Sequence, residues 1–532
     1  MSDQSQDIQG PAKAGFCIRG IPFAKAPTGD NRWKPASPVT GYAVKDSSTG
    51  NAFSPAPMQY FSDDKEGFFY TPPDDISEDC LYLNLWAPRA LHQDETAKWP
   101  VMIWFYGGGL MAGSASHPVY NGAELASKGV IVITFNYRLG VFGYFAHPAL
   151  SEESPHNSSG NYGTSDQIQA LLWVQNHIAR FGGDPDNITL FGESAGALSI
   201  SHLMASPLAA GLFHRVILQS AYLPAMPELK EPAYGYQSAE DYGLAFAEYL
   251  GIKGNGKRAL EALRELPAQT LLEASAAFEF DKAIVDGWIL PRQIFETFEQ
   301  GRQHSVPMLA GFNSREGSYF PKIGLIEVAA TPEIYIQQVM GKYPGCSDDY
   351  LAVYPSDNLE CSTYTALADG LYVWGTERLA RLMDTVSQPA YLYYFDHAPQ
   401  WAESMGVGAV HSMEVAYCFN NVKHNCKVSE SWPDFESTNN DLAMAELLSD
   451  YWVQFARNGA PSLGDGKPWR CYSTCDRSYI HFSQGRGFSD SGLKAAEIQL
   501  HEHIIDRRRH HNQNWTYKNL GLLAPDITCG VD

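Results

Sequence analysis

The sequence predicts an α/β fold: a central, mostly parallel sheet flanked by helices, with large helical insertions between core strands. Three observations carry this expectation. Short, nearly continuous apolar runs such as "VMIWFY" (Val101–Tyr106) and "VIVITFNY" (Val130–Tyr137) are rich in β-branched and aromatic residues, and read as strands buried on both faces. Stretches with helical spacing alternate with such runs, the order that calls for a parallel sheet. The 532 residues, 44% hydrophobic and 13% aromatic, suffice for a large core. No internal repeat or long Pro/Ser linker divides the chain, so residues 1–532 read as one domain.

The elements follow in order. After the first two strands, "SDQIQALLWVQNHIARF" (Ser165–Phe181) has apolar residues mostly at helical spacing, and Ser165 or Asp166 can cap its start. "GGDPDN" reads as a turn, "ITLFGE" as a strand, "AGALSISHLMAS" as a helix and "RVILQSA" (Arg215–Ala221) as the next strand. Pro224 to Ala283 is mostly helical with loops. "VPMLAGFN" (Val306–Asn313) and "AYLYYFDH" (Ala390–His397) return to strand. Asp441–Gly459 is a helix closed by Gly459, with Pro461 just beyond. "SYIHF" is a last strand. "AAEIQLHEHIIDRRRHH" is a last helix, and its dense charge marks it as solvated.

Composition excludes several function classes. Lys+Arg numbers 38 against Asp+Glu 60, a formal charge of −22 that repels phosphate backbones, so no nucleic-acid partner is expected. The start "MSDQSQDIQGPAKAGFCIRG" has no basic region followed by an apolar segment, and no run approaches the ~20 apolar residues of a membrane helix. The nine cysteines are odd in number and scattered, which suggests free thiols in a reducing compartment. These features together predict a cytoplasmic protein with no membrane contact. Cys471 and Cys475 lack the second ligand pair that zinc needs, so no metal or cofactor is expected. The glycosylation patterns at Asn157, Asn187 and Asn514 read as chance matches.

"ITLFGESAGALS" (Ile188–Ser199) carries the chemistry. Ser194 lies between Gly192 and Gly196, after a strand and before a helix, as a nucleophile elbow requires. A flanking Cβ would clash with neighbouring backbone on so sharp a turn. The bare pattern also arises by chance; its strand–turn–helix setting gives it weight. Gly107, Gly108 and Gly109 of "WFYGGGLMAG" follow a buried strand, where their N–H groups can face a carbonyl oxygen, and the Ala195 N–H can add a donor. The base is harder to choose among 16 histidines. The order Ser, acid, His excludes those before the acid, and the last helix sets aside its four. His304, His397, His411, His424 and His481 stay open. His411, on the small-residue loop of "VGAVHSMEVAY", leads.

These residues belong to a wider match. The chain resembles the type-B carboxylesterase/cholinesterase family of α/β-hydrolases over most of its length. The match runs through "IRGIPFAKAPTGDNRW", "SEDCLYLNLWAP", "YGGG", "NYRLGVFGY", "GFNSREGSYF", "GAVHSMEVAYCF" and the elbow stretch. The resemblance implies Ser194 as nucleophile, Glu316 as acid and His411 as base. It implies Gly108, Gly109 and Ala195 as the oxyanion hole, with Glu193 beside the site. Arg32 with Glu78 and Arg138 with Asp166 match structural ion pairs of the family.

The departures from the family carry expectations of their own. Cys80 has no cysteine in "SSTGNAFSPAPMQ" to pair with as extracellular members do, which agrees with a cytoplasmic protein. Arg315 replaces the usual aspartate before Glu316 and puts a positive charge beside the acid. Tyr70 stands where cholinesterases carry the tryptophan for the choline cation, and Leu110 and Met111 after "YGGG" are less aromatic, so choline esters are not the expected substrates. Phe278 and Phe280 are expected either at the acyl pocket or in the core.

The resulting expectation is a serine carboxylesterase, monomeric or weakly self-associating, acting on small esters with hydrophobic parts. Two alternatives remain at this point. One is a catalytically inactive adhesion or scaffold relative, which would be expected to lack Ser, acid or His. The other is a hydrolase of amides, carbamates, thioesters or lipids, which the same triad would serve.

Overall fold

The computed structural model describes residues 16–39, 52–60, 71–88, 98–424, 429, 431–462 and 469–526. Ten strands form one large sheet. They are β1 (Phe16–Pro22), β2 (Tyr82–Ala87), β3 (Trp99–Phe105), β4 (Ile131–Phe135) and β5 (Gly183–Glu193). The second half supplies β6 (Arg215–Gln219), β7 (Met308–Asn313), β8 (Ala390–Phe395), β9 (Ser478–Ser483) and β10 (Arg486–Ser491). Their spatial order is β1-β2-β4-β3-β5-β6-β7-β8-β9-β10. From β4 to β9 neighbouring strands pair in parallel, and antiparallel pairs are confined to the two ends.

The apolar runs occupy the parallel centre, because strands covered on both faces must be apolar throughout. Every residue of Ile131–Phe135 is buried, as are Val101–Phe105 and Ile188–Glu193. The edge strands β1 and β10 have no such run. β10 ("RGFSDS") is mostly exposed, and sequence periodicity does not single it out.

Helix α1 (Tyr162–His177) continues as a tighter turn to Phe181 and ends at Gly182, which is left-handed at φ 75°. It begins three residues before the expected cap. Neither Ser165 nor Asp166 caps it, because both side chains have other partners. The Ser165 hydroxyl accepts from the Ala36 N–H at 2.8 Å, and Asp166 binds Arg138. The "GGDPDN" turn also differs from expectation: Gly183 pairs with Trp99, so the segment opens β5 across a register shift. Helix α2 (Ala195–Ala205) leaves the end of β5 directly.

Helix α3 (Asn439–Asn458) starts with a reciprocal Thr438–Asp441 capping box and closes on left-handed Gly459. Helix α4 (Ala495–His510) is not the solvated helix its charges suggest. It buries Ile498, Leu500, His501, Ile504, Ile505 and Arg508, and its arginines bind carbonyls or carboxylates: Arg507 holds Pro344 O and Arg509 holds Glu299. No helix among the described residues is long and apolar enough to cross a membrane. The seven described cysteines are all free thiols.

Two ion pairs tie the loops around the sheet. Arg32 meets Glu78 at 2.6 Å, and Arg138 meets Asp166 at 2.7 Å with both side chains buried. Arg138 also donates to Lys34 O and Tyr162 O. Asp166→Asn leaves a buried cation without its counter-charge. Such a change is expected to cost about 3–5 kcal/mol, read as a lower urea midpoint, and a cost under about 1 kcal/mol would contradict this account.

Candidate active site

The site is built where β5 turns into α2. Ser194 sits on that turn at φ 55°, ψ −123°, a backbone state that L residues rarely occupy. The turn is tight because the chain crosses β3 at close range. A Cβ on Gly192 would lie 2.8 Å from Phe105 O, and one on Gly196 only 2.0 Å from the same oxygen. Both glycines are therefore required by backbone approach. Gly107 is equally constrained, since its Cβ would meet a Glu193 carboxylate oxygen at 2.7 Å. Gly108 and Gly109 have φ of 118° and 62°, which turns this loop toward Ser194. Among the described residues, the N–H groups of Gly108, Gly109 and Ala195 donate to no protein acceptor.

His411 comes from a loop far along the chain and is buried beside β7. Its Nδ1 lies 2.7 Å from Glu316 Oε2, and its Nε2 lies 3.1 Å from Glu193 Oε1. Tyr372 stacks on the imidazole at 4.4 Å between ring centroids. The other oxygen of Glu316 is also fixed: Ser220 Oγ donates to Oε1 at 2.5 Å and the Asn313 N–H at 2.7 Å. Glu193 accepts from Ser412 Oγ at 2.7 Å. A third carboxylate, Glu414, accepts from Asn313 Nδ2 at 2.5 Å and Gln219 Nε2 at 3.0 Å, and Trp452 holds Gln219 in turn.

Three buried carboxylates around one imidazole set the electrostatics. Burial pushes His411 down, but Glu193, Glu316 and Glu414 more than offset it and raise the ring to about 9. Burial, then Glu193 and Glu316, push the Glu414 carboxyl up to about 8. Burial also raises Glu193.

Arg315 does not reach the acid. Its backbone N–H donates to Ala409 O, and its guanidinium donates to the Tyr364 hydroxyl at 2.7 Å.

Ser194 and His411 open on one cavity of about 390 Å³, within the ordinary range of ligand pockets. Its wall is mainly apolar, with Leu198, Met226, Phe320, Ile323, Leu367 and Leu371, and Gly109 lies at the Ser194 end. The remaining expected pocket residues fall elsewhere. Leu110 is buried and Met111 packs against the neighbouring core, and neither lines the cavity. Phe280 is buried in the core, and Phe278 is half-buried against it. Both rings pack on Phe246 at 5.1 Å and on Tyr242, so the strip presents Asp281, Lys282 and Ala283 to the cavity instead. Tyr70 lies outside the described residues. Ser220, Asn313, Glu414 and Tyr372 carry no local sequence signal, and their roles arise only from contacts across the fold.

Comparisons with known proteins agree with this architecture. The profile described as "Carboxylesterase family" matches residues 15–501. Fumonisin B1 esterase of Sphingopyxis macrogoltabida is 35% identical over 93% of this chain and 89% of its own. Cocaine esterase of Oryctolagus cuniculus is 31% identical over 94% and 93%. Para-nitrobenzyl esterase of Bacillus subtilis (strain 168) is 30% identical over 85% and 88%. A solved structure of a PNB esterase superposes with a TM-score of 0.75 at 29% identity, covering 91% of this chain and 95% of that one. The elbow, the parallel sheet and these relatives together establish that the chain belongs to the carboxylesterase family, with an α/β-hydrolase fold and the activity of a carboxylic ester hydrolase.

Proposed function

We propose that Ser194, His411 and Glu316 hydrolyse carboxylic esters through an acyl-enzyme on Ser194. The observation that carries this is the shared cavity: Ser194 on its strained elbow and His411, anchored by Glu316 at 2.7 Å, open on the same apolar space.

In the first step Ser194 Oγ attacks the ester carbonyl carbon while His411 Nε2 takes its proton. Glu316, held by Ser220 and Asn313, keeps Nδ1 protonated and stabilises the imidazolium that forms. The N–H groups of Gly108, Gly109 and Ala195 receive the oxyanion, each well-placed donor contributing about 3–4 kcal/mol. His411 then returns the proton to the leaving alcohol. Water, deprotonated by His411, attacks the acyl carbon and frees Ser194. The apolar wall favours esters with hydrophobic parts, in keeping with relatives named for fumonisin B1, cocaine and para-nitrobenzyl esters. Rapid mixing with a nitrophenyl ester tests the acyl-enzyme: a nitrophenol burst of about one equivalent per enzyme is expected when deacylation is slower. Hydrolysis by Ser194→Ala with the wild-type time course would refute it.

The carboxylate cluster adds a pH prediction. Glu193 holds the His411 pKa up, so a neutral side chain there lowers it. His411 then remains an unprotonated base to lower pH. For Glu193→Gln the acidic limb of the kcat/KM profile is expected to move down by about one pH unit, measured against wild type in one buffer series. A limb that stays in place or moves up would contradict this assignment.

A further inference from the structure

The far end of helix α4 carries a charge that its surroundings do not balance. Arg508 is 6% exposed, and among the described residues its guanidinium makes one hydrogen bond, from Nη1 to Asn514 O at 3.2 Å. No described carboxylate lies within ion-pair distance. Arginine is almost never buried so deeply without a charged partner, because its desolvation is costly. Burial accordingly pulls this guanidinium below its ordinary range, and the neighbour acting against that is the Tyr343 phenol, not a carboxylate. Arg509, one residue on, shows the usual solution: Glu299 stands 2.7 Å away and Asp506 3.3 Å. The other two nitrogens of Arg508, Nε and Nη2, are not closed off from water, and the residue borders a cavity of about 300 Å³.

The same cavity gathers further cations. Arg507 borders it and donates through Nη1 to Pro344 O at 2.7 Å. Lys342 borders it too, donates to Ala524 O at 2.7 Å and meets Asp526 at 3.1 Å. His511 completes this side. Asp526 is the one carboxylate on the wall among the described residues, and its side chain is 72% exposed. Asp349, near Cys346, is exposed and does not line the cavity. Three permanent cations therefore face one carboxylate, in a chain whose formal charge is −22. The negative end of helix α4, equivalent to about half a charge, does not balance the two left over.

We propose that this cavity is a binding site for a phosphate monoester, whose dianionic head is held by Arg508, Arg507 and Lys342. A phosphate dianion carries the charge that matches the two unbalanced cations, whereas a carboxylate would leave one over. The guanidinium fork suits its oxygens, and Nε and Nη2 of Arg508 are the donors still open. The Tyr343 hydroxyl is spent on Gly521 O at 2.7 Å, so recognition falls to the cations. The volume is at the small end of ligand pockets and leaves room beside a phosphate for a small organic group. This cavity shares no lining residue with the one that holds Ser194, so the ester substrate is not its ligand. Occupancy would tie the end of helix α4 to Lys342 and the loop at Pro344, and so add to the stability of the fold.

The test is calorimetric titration of the intact protein with glycerol phosphate and, separately, inorganic phosphate, at fixed ionic strength and about pH 8, where both are dianions. Wild type is expected to bind glycerol phosphate at one site with a Kd below about 1 mM. Tighter binding of the ester than of inorganic phosphate identifies an organic ligand; inorganic phosphate bound as tightly or more tightly would overturn the monoester assignment. Arg508→Met removes a buried charge and keeps the chain length, so it is expected to fold and to weaken binding by about tenfold or more. Arg507→Gln is expected to weaken it as well, while Arg470→Met, an exposed arginine outside the cavity, keeps the wild-type Kd. The melting midpoint is expected to rise with glycerol phosphate in wild type and not in Arg508→Met. No saturable binding up to about 20 mM in wild type would overturn the inference, as would an unchanged Kd in Arg508→Met. Binding that appears only when residues 527–532 are deleted would also overturn it, since the chain would then supply its own anion. None of these results depends on Ser194.

Discussion

Ser194→Ala is expected to lower kcat by about 10⁶-fold while leaving the protein folded, because the nucleophile of a serine triad acts as one unit with its base. The substitution removes one buried oxygen from a turn whose shape is set by Gly192 and Gly196, not by the serine side chain. Loss of activity with an unchanged urea midpoint would therefore report chemistry and not folding. A variant keeping more than a hundredth of wild-type kcat would remove Ser194 from the mechanism. The residual rate expected is that left by the Gly108, Gly109 and Ala195 donors and by binding alone.

Glu316→Gln is the second large effect, expected at about 10⁴-fold in kcat. The side chain keeps its shape, so packing against β7 is retained. Its hydrogen-bond logic changes. Ser220 and the Asn313 N–H both donate to Oε1, which directs the amide oxygen of glutamine to that side. The amide NH₂ then faces His411 Nδ1 and forces that nitrogen to accept. Nε2 would carry the proton and could no longer take one from Ser194. The negative charge that stabilises the imidazolium is lost as well. A drop smaller than tenfold would show that another carboxylate serves as the acid; Glu193, at 3.1 Å from Nε2, is the one in reach. Arg315 is not expected to enter this balance, since its guanidinium is bound to Tyr364 and the chain at this position is tied to Ala409.

The parts of the fold legible in the sequence are those whose burial is two-sided. β3, β4 and β5 show themselves as apolar runs because both faces of each are covered. β10 pairs only with β9 and faces solvent, so its residues follow no apolar pattern. Helix α4 misleads in the opposite direction. Its charges are dense, but Arg507 and Arg509 are satisfied by a carbonyl and a carboxylate brought in from distant segments, and Arg508 is buried against the Asn514 carbonyl. Local sequence does not record such partners.

The candidate site divides along the same line. The elbow is local, so five residues and their flanks suffice to mark Ser194. Glu316 and His411 lie 95 positions apart and meet at a hydrogen bond; the residues alone put His411 ahead of four other histidines, and resemblance to a family singled out Glu316. Phe278 and Phe280 show why aromatic content is a weak guide to a pocket. They pack on Phe246 and Tyr242, and the cavity is walled by aliphatic and aromatic residues from other segments.

The most direct measurement is covalent labelling. The protein is inhibited with an organophosphate, digested, and mapped by mass spectrometry. A single phosphoryl adduct on Ser194, formed in step with loss of esterase activity and absent in Ser194→Ala, is the predicted result. Full inactivation with the adduct on any other residue, or full labelling of Ser194 with activity intact, would contradict the assignment of Ser194 as the nucleophile.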